Sequence, residues 1–171
     1  MRAQSSSAGS DLDCMQESED AFIGSLGSNS SNQPAIVSTG TWKRIDFTVD
    51  SGSAVSGIPR SMLPEGEEIR PPLDDGPKTY TSASKHQVQV VGEASPTCAF
   101  QNNTGGRVEL RVLDPLKKAL LSVSKMNRTH IVHLDGDHSW AKNRKTGKVM
   151  RIYMRGGVYV LPAWIRCHPK D

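Results

Sequence analysis

The segment Ile45-Asp46-Phe47-Thr48-Val49-Asp50-Ser51-Gly52-Ser53 alternates apolar and polar residues and then stops at an Asp-Ser-Gly triplet. Its three apolar residues fall on one face of a strand, because the side chains of a half-buried strand repeat every two residues. The strand delivers Asp50 into a tight turn, where Gly52 is expected to adopt backbone angles that are closed to other residues. Only small residues follow at once, so the sequence predicts a strand that presents one uncrowded carboxylate at its end.

Several more short segments alternate in the same way, which is typical of an all-β sandwich or barrel. We therefore predict an all-β fold, a small closed or partly open β-barrel. A surface loop is expected over residues 64–78, which are rich in Pro, Glu, Asp and Gly. The strands expected from alternation and turn signals are residues 45–49, 86–91, 108–113, 131–134, 149–154 and 158–161.

The chain has 171 residues and a formal net charge of +3, which is enough length for one domain with a tail. Residues 1–40 contain ten serines and few large apolar residues. This composition cannot offset the entropy cost of ordering, so we expect a disordered Ser-rich tail there. The rest is expected to form a main domain over residues 41–128 and a β-hairpin extension with a basic face over residues 129–171.

Three widely spaced cysteines, Cys14, Cys98 and Cys167, argue against a disulfide framework and for a reducing compartment, the cytoplasm. No pair of them has the spacing of metal ligands. The N-terminus lacks the apolar core of a signal peptide, and no apolar run approaches the length of a membrane span. The sequence thus predicts a cytoplasmic protein that does not associate with membranes.

An ordered series of motifs carries a resemblance to a known family. The Asp-Ser-Gly strand is followed by Leu120-Leu121-Ser122-Val123-Ser124-Lys125-Met126, then by Thr146-Gly147-Lys148-Val149 and Gly157-Val158-Tyr159-Val160-Leu161. Over residues 42–165 this order resembles the protease region of copia-type retrotransposon polyproteins, with the start of the segment that precedes integrase. The resemblance implies a retropepsin-like aspartic protease barrel.

By that resemblance, Asp50 is the catalytic carboxylate. Ser51 would tie two active-site loops together across a dimer, and Gly52 would let the backbone approach the substrate. The second motif would pack its apolar residues behind the catalytic loop, namely Leu120, Leu121 and Val123. The chain opens with its own Met and lacks a polymerase or integrase core, so it is expected to be a polyprotein fragment or a host gene derived from an element.

Three departures from the family pattern stand out. Ser122 occupies a position where retroviral proteases carry Gly, although copia-type relatives share the serine. Ser53 follows the triplet where Ala is commoner. The segment from Tyr80 to Gly92 holds the position of the flap that closes over bound peptide, but its one glycine does not make a Gly-rich tip.

The chemistry implied is peptide-bond hydrolysis by two aspartates. Two carboxylates held together share one proton, so one can activate water while the other protonates the developing oxyanion. The chain carries one Asp-Ser-Gly triplet, so the enzyme is expected to be a homodimer with one Asp50 per subunit. Its substrate would be a polypeptide, its own polyprotein, and no metal or other cofactor is required.

Other interpretations of the same residues stay open. Asp50 can simply cap an ordinary turn, which would leave a catalytically inactive β-barrel module that binds peptide or nucleic acid. Metal binding by the histidines of residues 130–138 is disfavoured, because His130 and His133 face opposite sides of a strand. Weak nucleic-acid binding or a plain solvated strand face are the alternatives for a group of basic residues, Lys142, Arg144, Lys145, Lys148 and Arg151.

Overall fold

The computed structural model describes residues 40–72, 76–82 and 84–168. The predicted Ser-rich tail lies outside the described residues except for Gly40. The prediction of a mostly β fold is confirmed, and the one α-helix among the described residues, α1, spans only Val123–Met126. The strands are β1 (Trp42–Asp50), β2 (Gly57–Ile58), β3 (Thr79–Thr81), β4 (Gln87–Ala94), β5 (Thr97–Phe100), β6 (Thr104–Arg107), β7 (Leu110–Asp114), β8 (Leu120–Ser122), β9 (His130–His133), β10 (Trp140–Asn143), β11 (Val149–Arg151), β12 (Tyr153–Arg155) and β13 (Val158–Arg166).

Ten of these strands form one large sheet, in the order β3-β4-β7-β2-β8-β1-β13-β5-β6, with β12 paired to β13. The end strands of this order, β3 and β6, do not pair with each other, so the described part of the chain does not close into a barrel. The remaining strands form a small sheet in the order β11-β10-β9. No helix within the described ranges has both the length and the apolar character needed to cross a membrane.

β1 lies at the centre of the large sheet, between β13 and β8. It pairs antiparallel with β13 from Trp42 to Val49 and parallel with β8 from Thr48 to Asp50. The pairing with β13 spans the boundary that we expected at residue 128, so the C-terminal strand and the Asp50 strand belong to one sheet. Burial alternates along β1 as the sequence predicts, with Ile45, Phe47 and Val49 all buried.

One hydrophobic core joins the two sheets. Phe47 and Leu161 of the large sheet are fully buried in it. The inner face of the small sheet contributes Ala141 and Met150 to the same cluster. Ile152, the residue after β11, also belongs to this cluster. Burying these side chains holds the small sheet against the large one, because apolar area removed from water stabilises the packing at about 25 cal/mol per Å².

Candidate active site

Asp50 is the last residue of β1, and its side chain is half-buried at the open end of the strand. It is paired with Ser122 of β8 in the parallel register. The backbone N–H of Gly52 donates a hydrogen bond of 2.8 Å to Asp50 Oδ1. The Asp-Ser-Gly triplet therefore folds back on its own carboxylate, as an aspartate at the start of a turn commonly does.

The reason we gave for the glycine of the triplet is wrong. Gly52 does not have a positive φ, unlike six other glycines of the described chain. A Cβ added at Gly52 would instead lie 3.4 Å from Asp50 Oδ1. This distance is an ordinary van der Waals contact, so neither the backbone angle nor the space beside the carboxylate requires a glycine here.

Ser122 holds the Asp50 loop from behind. Its side chain is fully buried, and its hydroxyl donates a hydrogen bond of 2.6 Å to the carbonyl of Ser53. The same oxygen accepts from Lys125 N at 3.5 Å as the N-cap of α1, and it lies 2.8 Å from Ser124 Oγ. One donated and two accepted bonds use the full capacity of a hydroxyl group. The departure from glycine at this position therefore adds a brace between the two motifs.

Ser56 completes this brace. Its hydroxyl accepts a hydrogen bond of 3.0 Å from the backbone N–H of Ser122, and its carbonyl accepts one of 2.9 Å from Arg111 N. The loop that begins at Asp50 is thereby fixed to β8 on one side and to β7 on the other. Sequence reasoning did not single out Ser56, because a lone serine in a loop carries no signal that separates a buried acceptor from a solvated hydroxyl.

The apolar residues of the second motif lie next to the Asp50 loop. Leu121 is buried in the core beside Val49, its register partner on β1. Leu120 is half-buried, and Val123 packs against the core from α1. The structure thus brings together the two segments that the sequence places some seventy residues apart.

Ser51, at the tip of the loop, is exposed. Its hydroxyl makes no hydrogen bond to any residue in the described ranges. In this respect it differs from Ser53, whose hydroxyl donates to Val55 O at 2.6 Å. The tip of the loop therefore exposes this hydroxyl to the solvent, next to the carboxylate of Asp50.

The segment expected to act as a flap forms a β-hairpin. β3 pairs antiparallel with β4, and the tip is closed by a bond of 2.8 Å from Ser82 N to His86 O. Gly92 is not at this tip. It lies in β4, where an added Cβ would come within 2.6 Å of the carbonyl oxygen of Arg70. This glycine therefore permits the close approach of a neighbouring segment and gives the hairpin no flexible hinge.

A cleft of about 840 Å³ opens beside the core. Val55 and Ser56 line it on the loop side, and Arg107 and Arg128 are among its charged residues. Asp50 is not among its lining residues. The cleft thus lies behind the loop, and the carboxylate faces a different part of the surface.

The histidines do not form a metal centre in the described part of the chain, where no three His, Cys, Asp or Glu side chains come together. His130 is half-buried and hydrogen-bonds Thr129 Oγ1 at 2.8 Å, whereas His133 is exposed. Burial lowers the pKa of His130 below its usual value. This histidine is therefore neutral over a wider pH range than an exposed one.

Cys98 and Cys167 are both buried. Burial, with a smaller contribution from the negative charge of Glu67, raises the pKa of Cys98 to about 12. A thiol with this pKa is protonated at neutral pH, so it is a poor nucleophile and a poor metal ligand. Cys98 is thus a packing residue.

The five basic residues singled out in the sequence are split between two places. Lys142 and Arg151 lie on strands of the small sheet and are exposed. Three lie in the turn between β10 and β11, namely Arg144, Lys145 and Lys148. The site around Asp50 contains none of them.

Comparisons with protein-family models, with curated proteins and with solved structures find no match for this chain.

Proposed function

We propose that this chain is a retrotransposon-derived aspartic endopeptidase of the retropepsin-like type, active as a homodimer with one Asp50 from each subunit. The observation that carries the proposal is the bracing of the Asp50 loop. A strand end delivers the carboxylate to the surface, and a second segment, through the buried Ser122, fixes the loop behind it. An ordinary surface turn does not need a fully buried hydroxyl to hold it in place.

The proposed reaction needs two carboxylates that share one proton. The ionised carboxylate takes a proton from water as the water oxygen attacks the peptide carbonyl, and the protonated one donates to the oxyanion that forms. The tetrahedral intermediate then collapses, the C–N bond breaks, and the amine leaves with a proton. The proton equilibrium belongs to the pair, so the rate should peak on the acidic side of neutral pH.

The second carboxylate is expected from a second copy of the chain. The sequence contains a single Asp-Ser-Gly triplet, and a two-fold axis beside the loop would place the two copies of Asp50 against each other. The exposed hydroxyl of Ser51 would then be free to bond to the partner loop. The β3–β4 hairpin is the element that would cover a bound peptide.

The test is peptide cleavage at mildly acidic pH by the purified chain, followed by mass spectrometry of a peptide library and of residues 1–40. Asp50→Asn should abolish cleavage, because an amide can neither activate water nor share a proton. Asp46→Asn is the matched control, because it removes an exposed aspartate from the same strand, and it should retain activity. Circular dichroism should give the same spectrum for all three proteins.

The dimer can be tested with the same proteins. Specific activity should rise with protein concentration, and an excess of Asp50→Asn should inhibit the wild type because mixed dimers have a single carboxylate. Folded wild-type protein that cleaves nothing, or an Asp50→Asn variant that cleaves normally, would refute the proposal. Activity that is independent of concentration would refute the two-subunit site.

A further inference from the structure

The small sheet has one face in the core and one in solvent. Ala141 and Met150 point inward and are almost fully buried. The strand registers therefore place the alternate residues on the opposite side. We call this side the outer face; it is formed by Ile131, His133, Trp140, Lys142, Val149 and Arg151.

Aromatic and cationic groups alternate across the outer face and beyond it. The rings of His133 and Trp140 are stacked with centroids 5.3 Å apart. The guanidinium carbon of Arg151, the register partner of Trp140, lies 5.1 Å from the centre of the Tyr153 ring, and that of Arg155 lies 5.4 Å from the same centre. A continuous row thus runs from the small sheet onto β12.

Cationic side chains outnumber anionic ones around this row. Residues 138–168 contain no Asp or Glu. One cation is partly neutralised from outside this range, because Arg155 lies 3.3 Å from a carboxylate oxygen of Asp46 on β1. The segment carries seven basic residues, Lys142, Arg144, Lys145, Lys148, Arg151, Arg155 and Arg166.

The outer face also exposes apolar surface between its charges. Ile131 is 44% exposed and Val149 is 40% exposed, and both flank Lys142 in the register of the sheet. An ordinary solvent-exposed strand face does not require stacked rings or neighbouring apolar side chains. Flat apolar and aromatic surface beside exposed cations fits a polyanion whose planar groups are not already stacked on each other.

We propose that the outer face binds single-stranded nucleic acid. Lys142 and Arg151 would contact phosphates, and unpaired bases would stack on the ring pair of His133 and Trp140. Basic grooves interleaved with aromatic side chains bind single strands in this way, with stacking contributing about 1–3 kcal/mol per base. A duplex offers phosphates but no free base faces, so it should bind less tightly. The proposal does not depend on peptidase activity.

The experiment is fluorescence anisotropy of the full chain with a labelled single-stranded RNA of mixed sequence, about twenty nucleotides long. Lys142→Gln/Arg151→Gln should weaken RNA binding about tenfold at about 50 mM salt. It should also reduce the slope of the logarithm of the binding constant against the logarithm of the salt concentration by about 1.4, because each phosphate that is no longer neutralised accounts for about 0.7. Lys117→Gln/Lys118→Gln is the charge-matched control. These two lysines are exposed in the connection between β7 and β8, so this variant should bind almost normally.

The stacking contacts need their own variant. His133→Ala should weaken RNA binding about fivefold or more, which corresponds to about 1 kcal/mol. His86→Ala is the control, because His86 is an exposed histidine at the tip of the β3–β4 hairpin. Both sites are exposed, so folding should be unaffected.

Four results would overturn the proposal. The first is that the wild type fails to bind the RNA at low salt, and the second is that the control variants lose as much affinity as the test variants. The third is that a duplex of the same length binds as tightly as the single strand. The fourth is that polyglutamate displaces the RNA at equal charge concentration. The last result would assign the outer face to acidic polypeptides. A preference for the single strand that both Lys142→Gln/Arg151→Gln and His133→Ala reduce would support it.

Discussion

Replacement of Ser122 by alanine tests the brace behind the Asp50 loop. The substitution removes the 2.6 Å bond to the carbonyl of Ser53, which is worth about 1–1.5 kcal/mol. It also removes the N-cap of α1, which is worth about 1 kcal/mol. The side chain is fully buried, so solvent does not replace the lost partner. We therefore expect Ser122→Ala to lower the free energy of unfolding by about 2–2.5 kcal/mol.

The measurement is urea unfolding followed by tryptophan fluorescence. The free energy of unfolding falls by about 2 kcal/mol for each mole per litre of urea, so the expected loss of stability should lower the urea midpoint by about 1 M. Ser84→Ala is the control, because Ser84 is exposed in the β3–β4 hairpin and, among the described residues, its hydroxyl bonds to the side chains of Ser82 and His86. This control should change stability by less than about 0.5 kcal/mol. Equal midpoints for Ser122→Ala and Ser84→Ala would refute the reasoning that Ser122 holds the loop.

Two further predictions concern packing and pH. Gly92→Ala should lower the free energy of unfolding by about 1–3 kcal/mol in the same assay, because its Cβ would meet the Arg70 carbonyl oxygen at 2.6 Å. Gly52→Ala is the control and should cost much less, because its nearest contact is 3.4 Å. Equal losses of stability in the two variants would contradict this reasoning. The pKa of Cys98 is about 12 in the folded chain and 9.0 when unperturbed. The unfolded thiol therefore ionises first, so stability should fall between pH 9 and pH 10 by on the order of 1 kcal/mol. Cys98→Ala should reduce this fall, and parallel losses in both proteins would contradict the assignment.

Alternation of apolar and polar residues was enough to predict the half-buried strands. β1, β4 and β9 all lie where the pattern places them, because each has one more buried and one more exposed face. The pattern fails where a strand has no such contrast. β13 was expected to end at residue 161 but continues to Arg166. It contains Pro162, which has no N–H to donate to a neighbouring strand, so the sequence predicts that the strand ends before it.

The position of Pro162 explains why the strand tolerates it. On one side β13 is paired with β1 throughout. On the other side it is paired with β12 as far as Val160 and with β5 from Trp164. Pro162 falls in the gap between these two partners, where one flank of β13 has no strand to bond to. This gap is a property of the whole sheet, so no local pattern around the proline could have predicted it.

The candidate site was predictable only in part, for a similar reason. Asp50 could be found because a strand, a turn signal and small residues are adjacent in the sequence. The brace could not be derived from spacing, because it joins Ser53 and Ser56 to Ser122, which lies more than sixty residues further along the chain. The sequence places Trp140 and Tyr153 among the basic residues, but the ring contacts of the aromatic row could not be predicted, because its rings come from three different strands. Hydrogen bonds and ring contacts between distant segments depend on the sheet order, and that order is set by the core as a whole.

The aromatic row ends beside β1, where Arg155 contacts Asp46 on the face of that strand that also carries Asp50, which raises the question of whether one site affects the other. Asp46, next to Arg155 at the end of the aromatic row, and Asp50 share that face, four residues apart, or about 13 Å. A phosphate bound at Arg155 would act on the Asp50 carboxylate with about 0.3 kcal/mol in water, and with less than about 0.1 kcal/mol after screening at physiological salt. Bound RNA should therefore leave the rate of peptide cleavage unchanged. A rate that changes when RNA is added would mean that the strand itself reaches the loop, because the electrostatic effect across this distance is too small to produce it.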